Sequence, residues 1–287
     1  MSQVTERKNA VGIQGLSWRE CQKDIISLMS AEQVSTVQAI IPEILKGCSP
    51  TVASVVNPLI SKTESKNDRV LLLSSDTLQK AFTKPFTARV NQFTALGLER
   101  VEAKRAAVIC SLSEMNFVVT NPARAKERLY TAFSEKTGAD TDRALKTLFH
   151  ELNSGHTKVF TTTLASLFAK ASVVSGFPNV TIKPLPLSEG VLVIAKNQSG
   201  QGLVSEISVN KMQKVNTTTE VVGIHDGSCE GVINRFNAEI KRLGVKFISE
   251  STRSTRGTVQ HSANLAEKQK HVLERIRKLN QQRRAQH

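Results

Sequence analysis

The chain has 287 residues, 39% of them hydrophobic, which is enough to pack one large core or two ordinary ones. Thirty-nine Lys and Arg against 25 Asp and Glu leave a net charge of +14, with a pI near 9.8. This excludes a chain too polar to build a core. It fits a negatively charged partner (nucleic acid, an anionic membrane surface or an acidic protein) and equally a basic protein kept soluble by its charge.

Residues 1–14 are polar and lack the apolar stretch of a signal peptide, so they read as a flexible segment. Ser17-Trp18-Arg19-Glu20 fits a capping box, and Cys21, Ile25, Ile26, Leu28 and Met29 continue it as an amphipathic helix. Residues 30–33 repeat the cap signal. They open a helix through Val34, Val37, Ile40 and Ile41 that Pro42 should bend or stop. Residues 63–68 form a polar loop, and residues 70–73 an apolar run that fits strand or helix. Asn121-Pro122 predicts a helix start, with Asn as N-cap and Pro at the first helical position. Residues 142–152 and 157–174 predict two helices. Their stripes are Leu145, Leu148, Phe149 and Leu152, then Phe160, Leu164, Leu167 and Phe168. The short turn at 153–156 would set them antiparallel.

At Gly176-Phe177-Pro178 the apolar period drops from 3.6 to 2. Strands are predicted at 180–182, 191–195, 203–209 and 217–222, forming an antiparallel meander. The Gly-rich 197–202 stretch between two of them is a hairpin turn, since no helix and no Lys-Ser/Thr follow as a phosphate loop requires. A helix over 229–243 carries Val232, Ile233, Phe236, Ile240 and Leu243 on one stripe, Gly244 ends it, and 245–248 is a last strand. Residues 251–263 are rich in Ser and Thr and read as a linker. Residues 265–284 form a helix with Leu265, Val272, Ile276 and Leu279 on a narrow stripe and Lys/Arg elsewhere.

Residues 252–287 hold nine Lys/Arg against Glu267 and Glu274, a net of +7, half the charge of the chain in an eighth of its length. As a nucleic-acid arm this tail would place Arg253, Arg256, Lys268, Lys270, Arg275, Arg277, Lys278, Arg283 and Arg284 on phosphates, giving affinity without sequence readout. It holds no aromatic for base stacking. As a partner helix it would dock the Leu265, Val272, Ile276 and Leu279 stripe into a groove. A stripe so narrow, without Trp or Phe, argues against a membrane-surface helix.

Other constellations carry less. His150 and His156 are six residues apart, where a zinc-protease helix needs four. They read as helix-end histidines. Cys21, Cys48, Cys110 and Cys229 lie too far apart for metal-ligand spacing or a dense disulfide framework. No metal site, no cofactor and no catalytic set is expected, and a reducing, cytoplasmic compartment is. Cys229 opens a helix, where a thiol pKa can fall, yet it has no partner cysteine and reads as a small apolar anchor. No apolar run approaches the ~18 residues of a membrane span. The predicted strands show no aromatic platform of the RRM kind.

Residues 218–244, TTEVVGIHDGSCEGVINRFNAEIKRLG, place a strand before Gly223, a Cys six residues later and a helix ending in Leu-Gly. This resembles a small bacterial domain of unknown function associated with gene neighbourhoods of MoxR-like AAA+ ATPases, through Gly223, Cys229 and Gly244. The resemblance covers about a tenth of the chain and implies a non-enzymatic accessory domain serving an ATPase.

The expectation is thus an α+β protein: a helical domain over 15–175, a small ββββαβ domain over 177–250 with one helix on its sheet, and the linker and basic tail helix over 251–287. The expected function is non-enzymatic binding, with the tail on nucleic acid. The alternative is an adaptor or assembly subunit, with an AAA+ ATPase as one candidate partner, that docks through the tail helix.

Overall fold

The computed structural model describes residues 2–13, 34–46, 48–60, 72–73, 75–114, 118–134, 138–185, 190–210, 214–224 and 228–255. In chain order these form β1 (Ser2–Ile13), β2 (Val34–Thr36), α1 (Val37–Lys46), α2 (Pro50–Ile60), β3 (Leu72–Leu73), α3 (Ser75–Ala95), α4 (Arg100–Glu114) and β4 (Val118–Thr120). Then follow α5 (Pro122–Ser134), α6 (Gly138–Val174), β5 (Asn179–Pro184), β6 (Val191–Lys196), β7 (Gly202–Val209), β8 (Val215–Val222), α7 (Cys229–Arg242) and β9 (Val245–Thr255). The fold is α+β: helices beside an antiparallel sheet.

β5 to β8 form the meander that the alternation predicts, each strand antiparallel to the next. The β6–β7 turn is held by Asn197, whose Oδ1 accepts the backbone N–H of Ser199 and Gln201 at 3.0 and 2.9 Å. Gly202 must lack a side chain, because a Cβ there would stand 2.9 Å from the Ala195 carbonyl oxygen.

Residues 2–13 are not a flexible segment. They form β1, which pairs with β8 over Val4–Arg7 on one edge and with β9 over its whole length on the other. The six long strands run β9-β1-β8-β7-β6-β5, and β3 pairs with Gly12 and Ile13. β8 and β9 are both antiparallel to β1, so they are parallel to each other, with α7 as their crossover. The small domain is therefore not 177–250 alone, since its sheet needs β1 from the other end of the sequence. β9 also runs to Thr255, so 251–255 is strand rather than linker.

α6 is one helix, not two. The predicted 153–156 turn is overridden because the helix serves two cores. Leu152 packs in the helical one, Val159 and Phe160 pack under the sheet, and His156 between them is fully buried. Packing at both ends outweighs the roughly 1 kcal/mol that Gly155 costs inside a helix. Buried Thr161, Thr163 and Ser172 donate to carbonyls four residues back at 3.0, 2.9 and 2.8 Å, so α6 buries these hydroxyls without orphaning them.

The helical module centres on α4, where Ala103, Ala106, Ala107, Val108 and Ile109 are all at most 1% exposed. α1 starts at Val37, because Val34–Thr36 pairs with β4 instead. Pro42 lies inside α1 and does not end it, since Ile40, Ile41 and Ile44 hold both sides in the core. Asn121 caps α5 as predicted, its Oδ1 accepting the Arg124 N–H at 3.1 Å. The helix predicted over 21–29 and the basic tail helix lie outside the described residues. No helix among the described residues is long and apolar enough to cross a membrane.

Candidate functional site

The basic tail is rooted on β9, whose only pairing among the described residues is with β1. Of the nine tail cations, Arg253 alone is described. Arg256, Lys268, Lys270, Arg275, Arg277, Lys278, Arg283 and Arg284 lie outside the described residues, as do Leu265, Val272, Ile276 and Leu279. Arg253 is exposed, and its Nη2 donates to Glu6 Oε1 at 2.8 Å across the β1–β9 pair. The neighbouring cations are also engaged. Arg242 forks onto Glu239 at 2.8 and 2.6 Å, which holds that carboxyl below its usual range. Lys241 Nζ lies 3.5 Å from Glu250. Around the root, Glu239, Glu250 and Glu6 thus face Arg242, Lys241 and Arg253, and Glu250 is shared with Arg7.

What fixes the root is a polar strip inside the sheet domain, centred on Arg7. This side chain is 1% exposed. Its Nη1 donates to Thr219 Oγ1 at 3.2 Å, its Nη2 donates to Asn237 Oδ1, and its Nε forms an ion pair with Glu250 Oε2 at 3.4 Å. The guanidinium carbon stands 5.8, 5.7 and 5.7 Å from the ring centroids of Phe168, Phe236 and Phe247. Thr5 Oγ1 meets Thr252 Oγ1 at 2.9 Å, and Ser205 meets Thr219 at 3.0 Å. Desolvation lowers the Arg7 pKa to about 10, with Glu250 opposing the shift. The arrangement clamps β9, and with it the tail root, onto β1. Sequence reading missed it, because a lone Arg in a polar segment gives no period.

Cys229 is buried in the sheet core, and its thiol faces the Ile224 carbonyl at 3.4 Å, as a helix anchor does. Cys48 is half-buried beside Glu102 and Arg105. Burial first, then Glu102, pushes its thiol up to about 11, with Arg105 opposing. Iodoacetamide at pH 8 should therefore alkylate Cys48 about a hundredfold more slowly than an ordinary exposed thiol. Peptide mapping of the labelled protein reads this directly, and labelling at the ordinary rate would contradict it. His150 is exposed and His156 is buried, so they share no surface, and neither is a helix-end histidine. No group of three or more His, Cys, Asp and Glu among the described residues could hold a metal ion. The open face of β7 and β8 presents Val204, Glu206, Thr218 and Val222, without an aromatic. No protein family, curated protein or solved structure matches the chain.

Proposed function

We propose that this is a non-enzymatic binding protein whose basic tail engages a polyanion, nucleic acid above all, through phosphates and without sequence readout. The observation that carries the reading is the +7 concentrated in residues 252–287. Arg253, the one tail cation that the structure describes, is paired with Glu6, so within the tail the reading rests on the eight cations from Arg256 onward.

The test removes residues 256–287 and keeps β9 whole, because Thr252 pairs with Thr5. The full chain should bind generic DNA and RNA with an affinity that falls steeply with salt. The logarithmic slope should be roughly 0.7–0.9 per phosphate engaged. The truncated chain should lose most of that affinity and slope. Equal binding by both would remove the tail from the function.

The Leu265, Val272, Ile276 and Leu279 stripe favours a second reading, an adaptor that docks this helix on a protein, an AAA+ ATPase among the candidates. Replacing Val272, Ile276 and Leu279 by Ser should then abolish association, while charge-reducing substitutions in the tail matter less. The reverse pattern favours nucleic acid.

A further inference from the structure

We propose that the sheet face opposite α6 and α7 is a docking surface for the tail of the same chain, with Leu265, Val272, Ile276 and Leu279 seated on it. One consequence rests on the reading of the tail as a polyanion arm: the sheet and a polyanion compete for the same segment.

The strand register lays the surface out. Ile194, Val204, Glu220, Val4 and Arg253 stand side by side on β6, β7, β8, β1 and β9. In the next row stand Leu192, Glu206, Thr218 and Glu6. Helices α6 and α7 pack on the other face, against Val193, Ala195, Leu203, Ile207 and Val221. Side chains on a bare sheet face shelter one another only in part. Yet Leu192 is 3% exposed, Val4 and Glu220 are each 6% exposed, and neither Leu192 nor Val4 belongs to either core. A cover on this face accounts for their burial.

Charge, shape and reach select the tail as that cover. The charged residues of β7 and β8 are Glu206 and Glu220, and neither strand holds a cation. Lys183 and Lys196 lie toward the β5 edge. A carboxylate as deep as Glu220 is stable only against a cation or hydrogen-bond donors. Residues 256–287 bring eight Lys/Arg against Glu267 and Glu274, whereas residues 14–33 bring Arg19 and Lys23 against Glu20, Asp24 and Glu32. One apolar stripe flanked by cations fits a face where Leu192, Ile194 and Val204 flank carboxylates. The nine residues 256–264 link the end of β9 to Leu265. Extended, they span roughly 30 Å. From β9 to β7 is three strand spacings, about 14 Å.

The test uses the full chain with Val204→Cys and one further cysteine, moved along the tail through positions 265, 267, 272, 274, 276, 279 and 281. Each variant is oxidised at low protein concentration. Mass spectrometry separates a link to position 204 from any through Cys21, Cys48, Cys110 or Cys229. The link within one chain should form about tenfold more at stripe positions 265, 272, 276 and 279 than at 267, 274 and 281 on the opposite side of a helix. Adding Glu206→Lys should cut the yield several-fold. An excess of mixed-sequence oligonucleotide should suppress it.

No link to position 204, or equal yields all along the tail, would overturn the docking and leave the polyanion reading to its own binding test. Links formed only between two chains would overturn it as well. A stripe-selective link that persists when the chain has bound the oligonucleotide would overturn the competition. A chain that forms the stripe-selective link but binds no oligonucleotide would sink the polyanion reading and support the docking.

Discussion

Replacing Arg7 by Ala is expected to lower the stability of the sheet domain by about 3–5 kcal/mol. The midpoint of urea unfolding followed by circular dichroism reads it. The loss does not come from a strong ion pair. Burial holds the guanidinium at about 10, below its ordinary value, and Glu250 recovers part of that shift. From about pH 10 up to the ordinary guanidinium range the unfolded chain therefore holds more protons at this group than the folded one. Its contribution to stability rises with pH through that window and is unfavourable at neutral pH. What Ala would remove is the filling between Phe168, Phe236 and Phe247 and the partners of Asn237, Thr219 and Glu250. Arg7→Met keeps the filling and should cost clearly less. Arg7→Met combined with Asn237→Leu should recover much of the remainder, because both ends of the polar contact become apolar together. Equal loss in Arg7→Ala and Arg7→Met would mean that packing against the rings contributes little.

The same residue shows why part of the fold could be read in the sequence and part could not. β6 is announced by a run apolar on both faces, Val191 to Ala195, and β7 by Leu203 and Ile207 on one face. α7 buries Ile233, Phe236 and Ile240 at helical spacing, and Asn121-Pro122 marks the start of α5 by local chemistry alone. β1 has no such signature. It fills two of its inward positions with Thr5 and Arg7, whose hydrogen-bond partners lie more than two hundred residues away, and only Ala10 and Ile13 at its far end join the apolar core, so the segment looks like solvent-exposed chain. The domain boundary was misplaced for the same reason: a boundary read from texture cannot show that the first strand of the sequence pairs between the eighth and the ninth. At the candidate site, charge was legible because it needs only counting. Which cations are compensated was not, because Arg253 meets Glu6 only once β1 has paired with β9.

α6 poses the sharpest disagreement between local signal and tertiary structure, and a proline decides it. Asn153-Ser154-Gly155-His156 has the composition of a turn, yet the helix runs unbroken from Gly138 to Val174. In a helical hairpin, Pro at position 155 would fall in the turn and cost little. Inside a continuous helix it removes a backbone hydrogen bond and clashes with the preceding turn, at about 3 kcal/mol or more. Gly155→Pro is therefore expected to destabilise the chain by at least that amount. The consequence should extend beyond a shifted midpoint. Leu152 belongs to the core around α4, and Val159 to the core beneath the sheet, so the two cores are joined by the turns on either side of Gly155. If α6 transmits stability between them, the unaltered chain unfolds in one transition and the Gly155→Pro chain in two. Tertiary probes placed in each core would separate the two transitions. An unchanged midpoint in Gly155→Pro would show that 153–156 is a turn and that the two cores are not coupled through a helix.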